Sequence, residues 1–131
     1  MTASPAFGTL PAVKVFLVED SPILSERVAT MLTTIPGAQY VGHAATAQEA
    51  IAAIERARPD VVVLDIRLEQ GSGFEVLEAL RKSAPQVQSF VLTNFANDAY
   101  LRKAERLGAR GFFDKSTQFE GLRQALMKCG S

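Results

Sequence analysis

Three observations predict a doubly wound α/β fold, in which a five-stranded parallel sheet is covered by helices on both faces as a three-layer sandwich. Five short apolar runs alternate with five amphipathic segments along the chain. The third run, in VVVLDIRL at 61–68, shows no polar alternation before its first carboxylate. A run of that kind is the mark of a strand buried on both faces, and such strands belong mostly to parallel sheets. The connections are short, as strand–helix alternation around a parallel sheet requires.

The first strand is expected at 13–18. Pro22 after Ser21 suits the first helical position behind a cap. Leu24, Val28, Met31, Leu32 and Ile35 recur at helical spacing, so a helix is expected over 22–35. A second strand at 38–44 leads to Thr46 and Glu49, in the spacing of a capping box, ahead of Ala50, Ile51 and Ile54. The third strand covers 60–64, and Ser72 with Glu75 repeats the box before Phe74, Leu77 and Leu80. A fourth strand at 87–92 is followed by a helix near 97–107. Its cap is Asn97, its inner face Leu101, Ala104 and Leu107, and its stop Gly108. The fifth strand, 111–113, precedes Thr117 and Glu120, a third box, ahead of Leu122 and Leu126.

At 131 residues the chain has the length of one ordinary domain. We assign 12–131 to that domain and 1–11, rich in Ala, Pro, Gly, Ser and Thr, to a flexible leader. Fourteen basic against fourteen acidic side chains leave no formal net charge, so no broad electrostatic footprint for nucleic acid or an anionic membrane is present. Direct nucleic-acid binding is therefore not expected. No apolar stretch is long enough to span a bilayer and the N-terminus lacks a secretory pattern, so a cytoplasmic protein is expected. The single cysteine, Cys129, excludes an internal disulfide and reads as a partly buried helix residue. His43, the single histidine, reads as a half-buried strand residue.

Polar residues gather at the strand ends. VKVFLVED ends in Glu19 and Asp20, VVVLD in Asp65, SFVLTN in Thr93 and Asn94, and GFFDK in Asp114 and Lys115. In a parallel sheet these ends share one edge, which is where open α/β sheets bind ligands. Clustered carboxylates repel unless a cation joins them or one is protonated. An all-oxygen set suits a hard cation, and Mg²⁺ is held by one or two carboxylates while keeping several waters. Such a site receives a phosphoryl group, with Lys115 and Thr93 able to pair with its oxygens. Phosphoryl transfer asks mainly for positioning and charge neutralisation, and a carboxylate can itself be the nucleophile. Asp65, on the central strand, is the best placed. Each of these residues alone has an ordinary alternative as a loop former, cap or surface charge.

From Val13 to Lys128 the chain resembles the response-regulator receiver domain of two-component signalling. The resemblance rests on VED after the first strand, VVVLDIRLEQGSGFEVL, the VLT end of the fourth strand and GARGFFDKS. It implies the flavodoxin-like strand order 2-1-3-4-5, and phosphorylation of Asp65 by a sensor histidine kinase or histidine phosphotransfer protein. It further implies Mg²⁺ held by Asp20, Asp65 and the Arg67 backbone carbonyl, with Glu19 acting through water. Thr93 and Lys115 become the groups that grip the phosphoryl oxygens. Phe112 falls at the place of the aromatic switch, its alternative being a core aromatic. The output surface implied is that of the fourth helix, fifth strand and fifth helix, offered to a downstream effector. The chemistry implied is limited to the domain's own phosphorylation and dephosphorylation.

The chain also departs from the family pattern. Asn94 stands where a small residue is usual and Arg67 lies two residues after Asp65, so both are candidates for setting the phosphoryl lifetime. Glu69 stands where proline is common. Ser116 replaces the proline that often follows the lysine, and a cis bond before a non-proline residue costs about 3 kcal/mol, which leaves the Lys115–Ser116 geometry open. An aspartyl phosphatase would need an acid where Arg67 stands, and a mononucleotide binder would not place VEDSP in its phosphate loop. The remaining alternative is a pseudo-receiver that binds partners without being phosphorylated. With 12–131 filled by the five strand–helix units, the protein is expected to be a single-domain regulator, a relay intermediate or the receiver portion of a longer chain.

Overall fold

A computed structural model describes residues 12–129, so the leader assigned to 1–11 lies outside the described residues. The order of elements is β1 (Val13–Val18), α1 (Pro22–Leu32), β2 (Ala38–Ala44), α2 (Ala47–Ala57), β3 (Val61–Leu64), α3 (Gly73–Ser83), β4 (Gln88–Thr93), α4 (Asp98–Arg106), β5 (Gly111–Asp114) and α5 (Phe119–Cys129). The strands form one parallel sheet in the order β2-β1-β3-β4-β5. Both the expected architecture and the expected order are present.

Alternation along each strand divides the core in two. Val15, Leu17, Val61, Val63, Phe90 and Leu92 pack with Leu24, Val28, Met31, Leu122 and Leu126 of α1 and α5. Phe16, Val18, Val62, Leu64 and Val91 pack with residues of α2, α3 and α4 on the other face. All four residues of β3 are completely buried, as the unbroken apolar run predicts. Burying a side chain of that kind contributes about 1.5–3 kcal/mol. The central strand therefore anchors both layers, and its register fixes where Asp65 emerges.

The caps follow the sequence at four helices. The Ser21 hydroxyl accepts from the Leu24 N–H, Thr46 from Glu49 and Asn97 Oδ1 from Tyr100. At α3 the Ser72 hydroxyl accepts from the Phe74 N–H while the Glu75 carboxylate accepts from the Ser72 N–H, a reciprocal box. Gly108, at φ +96, ends α4 as expected. Cys129 lies on α5 and is partly buried.

Other expectations need correction. Helix α1 ends at Leu32 rather than 35, because the Thr33 and Thr34 hydroxyls donate to the Thr30 and Met31 carbonyls and turn the chain. Thr117 does not cap α5, which begins at Phe119. The Asp114 carboxylate organises that loop by accepting from Ser116 N–H, Ser116 Oγ–H and Thr117 N–H. The Lys115–Ser116 peptide is trans, and Ser116 supplies an N–H that proline lacks. Leu101, expected inside, is 40% exposed, and Ala104 is the buried residue of α4. His43 is exposed rather than half-buried, its ring stacked near Tyr40 on the edge strand. No helix among the described residues is long and apolar enough to cross a membrane.

Candidate functional site

The C-terminal ends of β1, β3, β4 and β5 meet as parallel pairing requires, with Val18 beside Leu64, Leu64 beside Val91 and Thr93 beside Asp114. Main-chain bonds extend the register past the strands. The Asp65 N–H donates to the Val18 carbonyl at 3.0 Å, Glu19 N–H to Ala44 at 2.9 Å, and Lys115 N–H to Thr93 at 3.0 Å. These bonds deliver Glu19, Asp65, Thr93 and Lys115 to one crevice. Buried apolar strands below give them little freedom.

Asp65 is 5% exposed. Its Oδ1 accepts from the Ile66 N–H at 2.7 Å and, at 3.4 Å, from the Arg67 N–H. Its Oδ2 accepts from Lys115 Nζ at 2.7 Å. The same ammonium lies 3.1 Å from Glu19 Oε1, and Glu19 Oε2 accepts from the Ser21 N–H at 3.0 Å. Burial pushes the Glu19 carboxyl above the ordinary glutamate value, with Lys115 and the Ser21 N–H pulling partly back. Burial also draws the Lys115 ammonium down, but its bonds and charge interactions with Asp65 and Glu19 outweigh that and leave it above the ordinary lysine value. Lys115 is therefore charged and its two acids share one cation.

Thr93 is completely buried. Its Oγ1 accepts from the Phe95 N–H at 3.1 Å, which leaves its proton free for another acceptor. Asp20 is half-buried, and its carboxylate has no hydrogen-bond or ion-pair partner among the described residues. Glu19, Asp20 and Asp65 carry three negative charges against the single ammonium, an excess that a divalent cation would balance. The three do not form a ready metal cage among the described residues, and two of them, Glu19 and Asp65, are bridged by Lys115. Mg²⁺ does not need such a cage, since one or two carboxylates and several waters satisfy it. The donor set, hard oxygens with an unpartnered Asp20, fits that ion.

Arg67 and Asn94 are exposed at the rim. The Arg67 guanidinium lies 4.4 Å from the Phe95 ring centroid, joining the loop after β3 to the loop after β4. Phe95, 39% exposed, did not stand out in the sequence. An aromatic two residues beyond a strand-end threonine, in the polar stretch NFAND, was the available signal. Phe112 is half-buried and packs against the core layer that includes Val91 and Ala104. It pairs in register with Val91, so both its readings keep it on the face of α4.

The family model for the response regulator receiver domain matches residues 15–127. The chain is 34% identical over 119 residues to the DNA-binding transcriptional activator DevR/DosR of Mycobacterium tuberculosis, covering 91% of this chain and 55% of that protein. It is 28% identical over 116 residues to the response regulator protein VraR of Staphylococcus aureus, covering 88% of this chain and 56% of VraR. Among solved structures, a two-component response regulator of the LuxR family from Aurantimonas superposes with TM-score 0.84 at 30% identity, covering 90% of this chain and 84% of that one. The chain spans about half the length of the curated relatives it matches. These relatives overturn the expectation, drawn from charge balance, that nucleic acid is no partner. DevR/DosR is a DNA-binding protein of which the match covers 55%, so the net charge of the matched part does not report what the whole protein binds.

Proposed function

The chain belongs to the response regulator receiver domain family, and on that premise we propose that Asp65 is its phosphoacceptor and that the aspartyl phosphate changes what the protein binds. The observation that carries this is the buried Asp65 carboxylate at the end of β3. One of its oxygens is held by main-chain N–H groups and the other by an ammonium. In the reaction a carboxylate oxygen attacks phosphorus, the bond to the donor, a phosphohistidine, breaks, and the histidine keeps the electron pair. Asp65 supplies the nucleophile already oriented, so little covalent work remains for the protein. Lys115 is poised to move from the carboxylate to a phosphoryl oxygen, and the free Thr93 proton to donate to another. Asp20, Asp65 and the Arg67 carbonyl would hold Mg²⁺, with Glu19 acting through water. The ion, when bound, supplies charge neutralisation for the phosphoryl oxygens.

Arg67, stacked on Phe95, and Asn94, the residue after Thr93, set the lifetime of the acyl phosphate. Phe112 is the aromatic that follows Thr93, through a local charge change that biases a two-state element. Nucleic acid enters as the output: in a protein built like DevR/DosR, phosphorylation at Asp65 controls a DNA-binding part beyond the receiver. The domain's own chemistry is confined to gaining and losing the phosphoryl group. The test is intact mass after incubation with acetyl phosphate, with and without Mg²⁺, beside Asp65→Asn. A metal-dependent adduct lost in the variant is expected. Absence of any adduct, with no chemical-shift response to Mg²⁺ and beryllofluoride, would leave a pseudo-receiver.

A further inference from the structure

Gly73 opens α3 and is buried against the strand end that carries Asp65. Its φ lies outside the left-handed region, so backbone geometry alone admits any residue there. Space does not. A Cβ on Gly73 would overlap the Asp65 carbonyl oxygen and come within 3.0 Å of the Asp65 carbonyl carbon and of Ile66 Cα. All three are main-chain atoms, which cannot swing aside as a side-chain end can.

The chain around this contact is closed on itself. The Gly73 N–H donates to the Ile66 carbonyl at 2.8 Å, and Arg67 and Ser72 form an antiparallel bridge. The Ser72–Glu75 box locks the first turn of α3 above them. Ile66 and Arg67 are the residues whose N–H groups hold Asp65 Oδ1. Any shift of the 65–66 main chain therefore reaches the carboxylate through its own partners.

We propose that Gly73 is a positioning residue for Asp65, its missing side chain letting α3 rest directly on the Asp65 carbonyl and so fixing the carboxylate and the Arg67 carbonyl. The role of that carboxylate as phosphoacceptor is taken from the function proposed above. Gly73→Ala puts a methyl group where α3 meets the strand and pushes the two apart. Gly108→Ala is the control, since Gly108 has no atom within 4 Å of its would-be Cβ and its φ of +96 imposes strain far from the site.

The experiment combines far-UV circular dichroism, amide chemical shifts and the rate of adduct formation from acetyl phosphate. For folded Gly73→Ala we expect the Ile66 and Arg67 amides to shift and the adduct rate to fall at least tenfold, with Gly108→Ala unchanged in both. A folded Gly73→Ala with native amide shifts and native rate overturns the proposal. A variant that does not fold transfers the decision to hydrogen exchange in the native chain. There the Gly73 amide must be as protected as the β3 amides, and exchange at the rate of an exposed loop overturns it. If the native chain forms no adduct, the phosphoacceptor reading fails by itself and the amide shifts alone decide whether Gly73 positions Asp65.

Discussion

Replacing Lys115 with methionine removes the ammonium shared by Asp65 and Glu19 while keeping most of the side-chain volume. In the native chain the lysine side chain is 12% exposed and its partners 6% and 2%, so neither carboxylate gains much water in exchange. Removing one partner of a buried pair costs about 3–5 kcal/mol. We place Lys115→Met near the lower end, about 3 kcal/mol at neutral pH, because Glu19 can relieve the repulsion by protonating. For a domain of this size that lowers the melting temperature by roughly 10 °C.

The pH dependence has a definite sign. Burial already holds Glu19 above the ordinary glutamate value, and loss of Lys115 removes the main influence pulling it back. The folded variant then binds a proton more readily than the unfolded chain, so its deficit shrinks as pH falls and is full above the folded pKa. Urea unfolding at about pH 5 and about pH 8, with and without Mg²⁺, measures this, and Mg²⁺ should restore part of the loss at the higher pH. Adding Glu19→Gln and Asp65→Asn to the variant should recover stability, since no buried charge then lacks a partner. A deficit below about 1 kcal/mol, equal at both pH values and indifferent to Mg²⁺, would mean the bridge behaves as a surface pair and the electrostatic account is wrong.

Phe95→Ala frees Arg67 from its stack, a contact worth about 0.5–1 kcal/mol at an exposed site, so aspartyl-phosphate loss should quicken roughly two- to fivefold by phosphate release. Ser72→Ala should cost about 1 kcal/mol in urea unfolding through loss of the α3 cap. The Asp114 carboxyl, held below the ordinary value of 3.8 by its bonds from Ser116 and then Thr117, should titrate low by carboxyl carbon chemical shift. A depressed carboxyl stabilises the fold above its unfolded pKa. The advantage of the native chain over Asp114→Asn should therefore fade as pH falls through the folded value.

The strands were legible because burial on both faces writes itself as unbroken apolar sequence, most plainly in Val61–Leu64. Helix starts were legible where a side chain caps its own helix, as at Ser21, Thr46, Ser72 and Asn97. At α5 the same spacing misled, since the loop takes its order from Asp114, a residue of the preceding strand. Leu101 misled because periodicity marks a face without telling how closely that face is covered. At the site, the residue types and their gathering at strand ends could be read. That Lys115 holds Glu19 and Asp65 together, that Arg67 lies on Phe95, and that Gly73 abuts the Asp65 carbonyl could not, because each depends on angstrom-scale distances between separate segments.

The sheet that separates two core layers does not hold all five helices equally, and the exception is α4, since α2 and α3 on the same face bury three and four residues. On one side α1 is pinned by four buried side chains and α5 by two, all in one cluster. On the other, α4 is seated by Ala104, with Tyr100, Leu107 and Phe112 only partly covered. Local opening follows the amount of apolar surface that opening exposes, so α4 is the helix that leaves at least expense. Thr93 falls in step with Val91, the β4 residue whose side chain lies on the face of α4. A disturbance entering at the crevice thus meets stiffness behind it and compliance ahead.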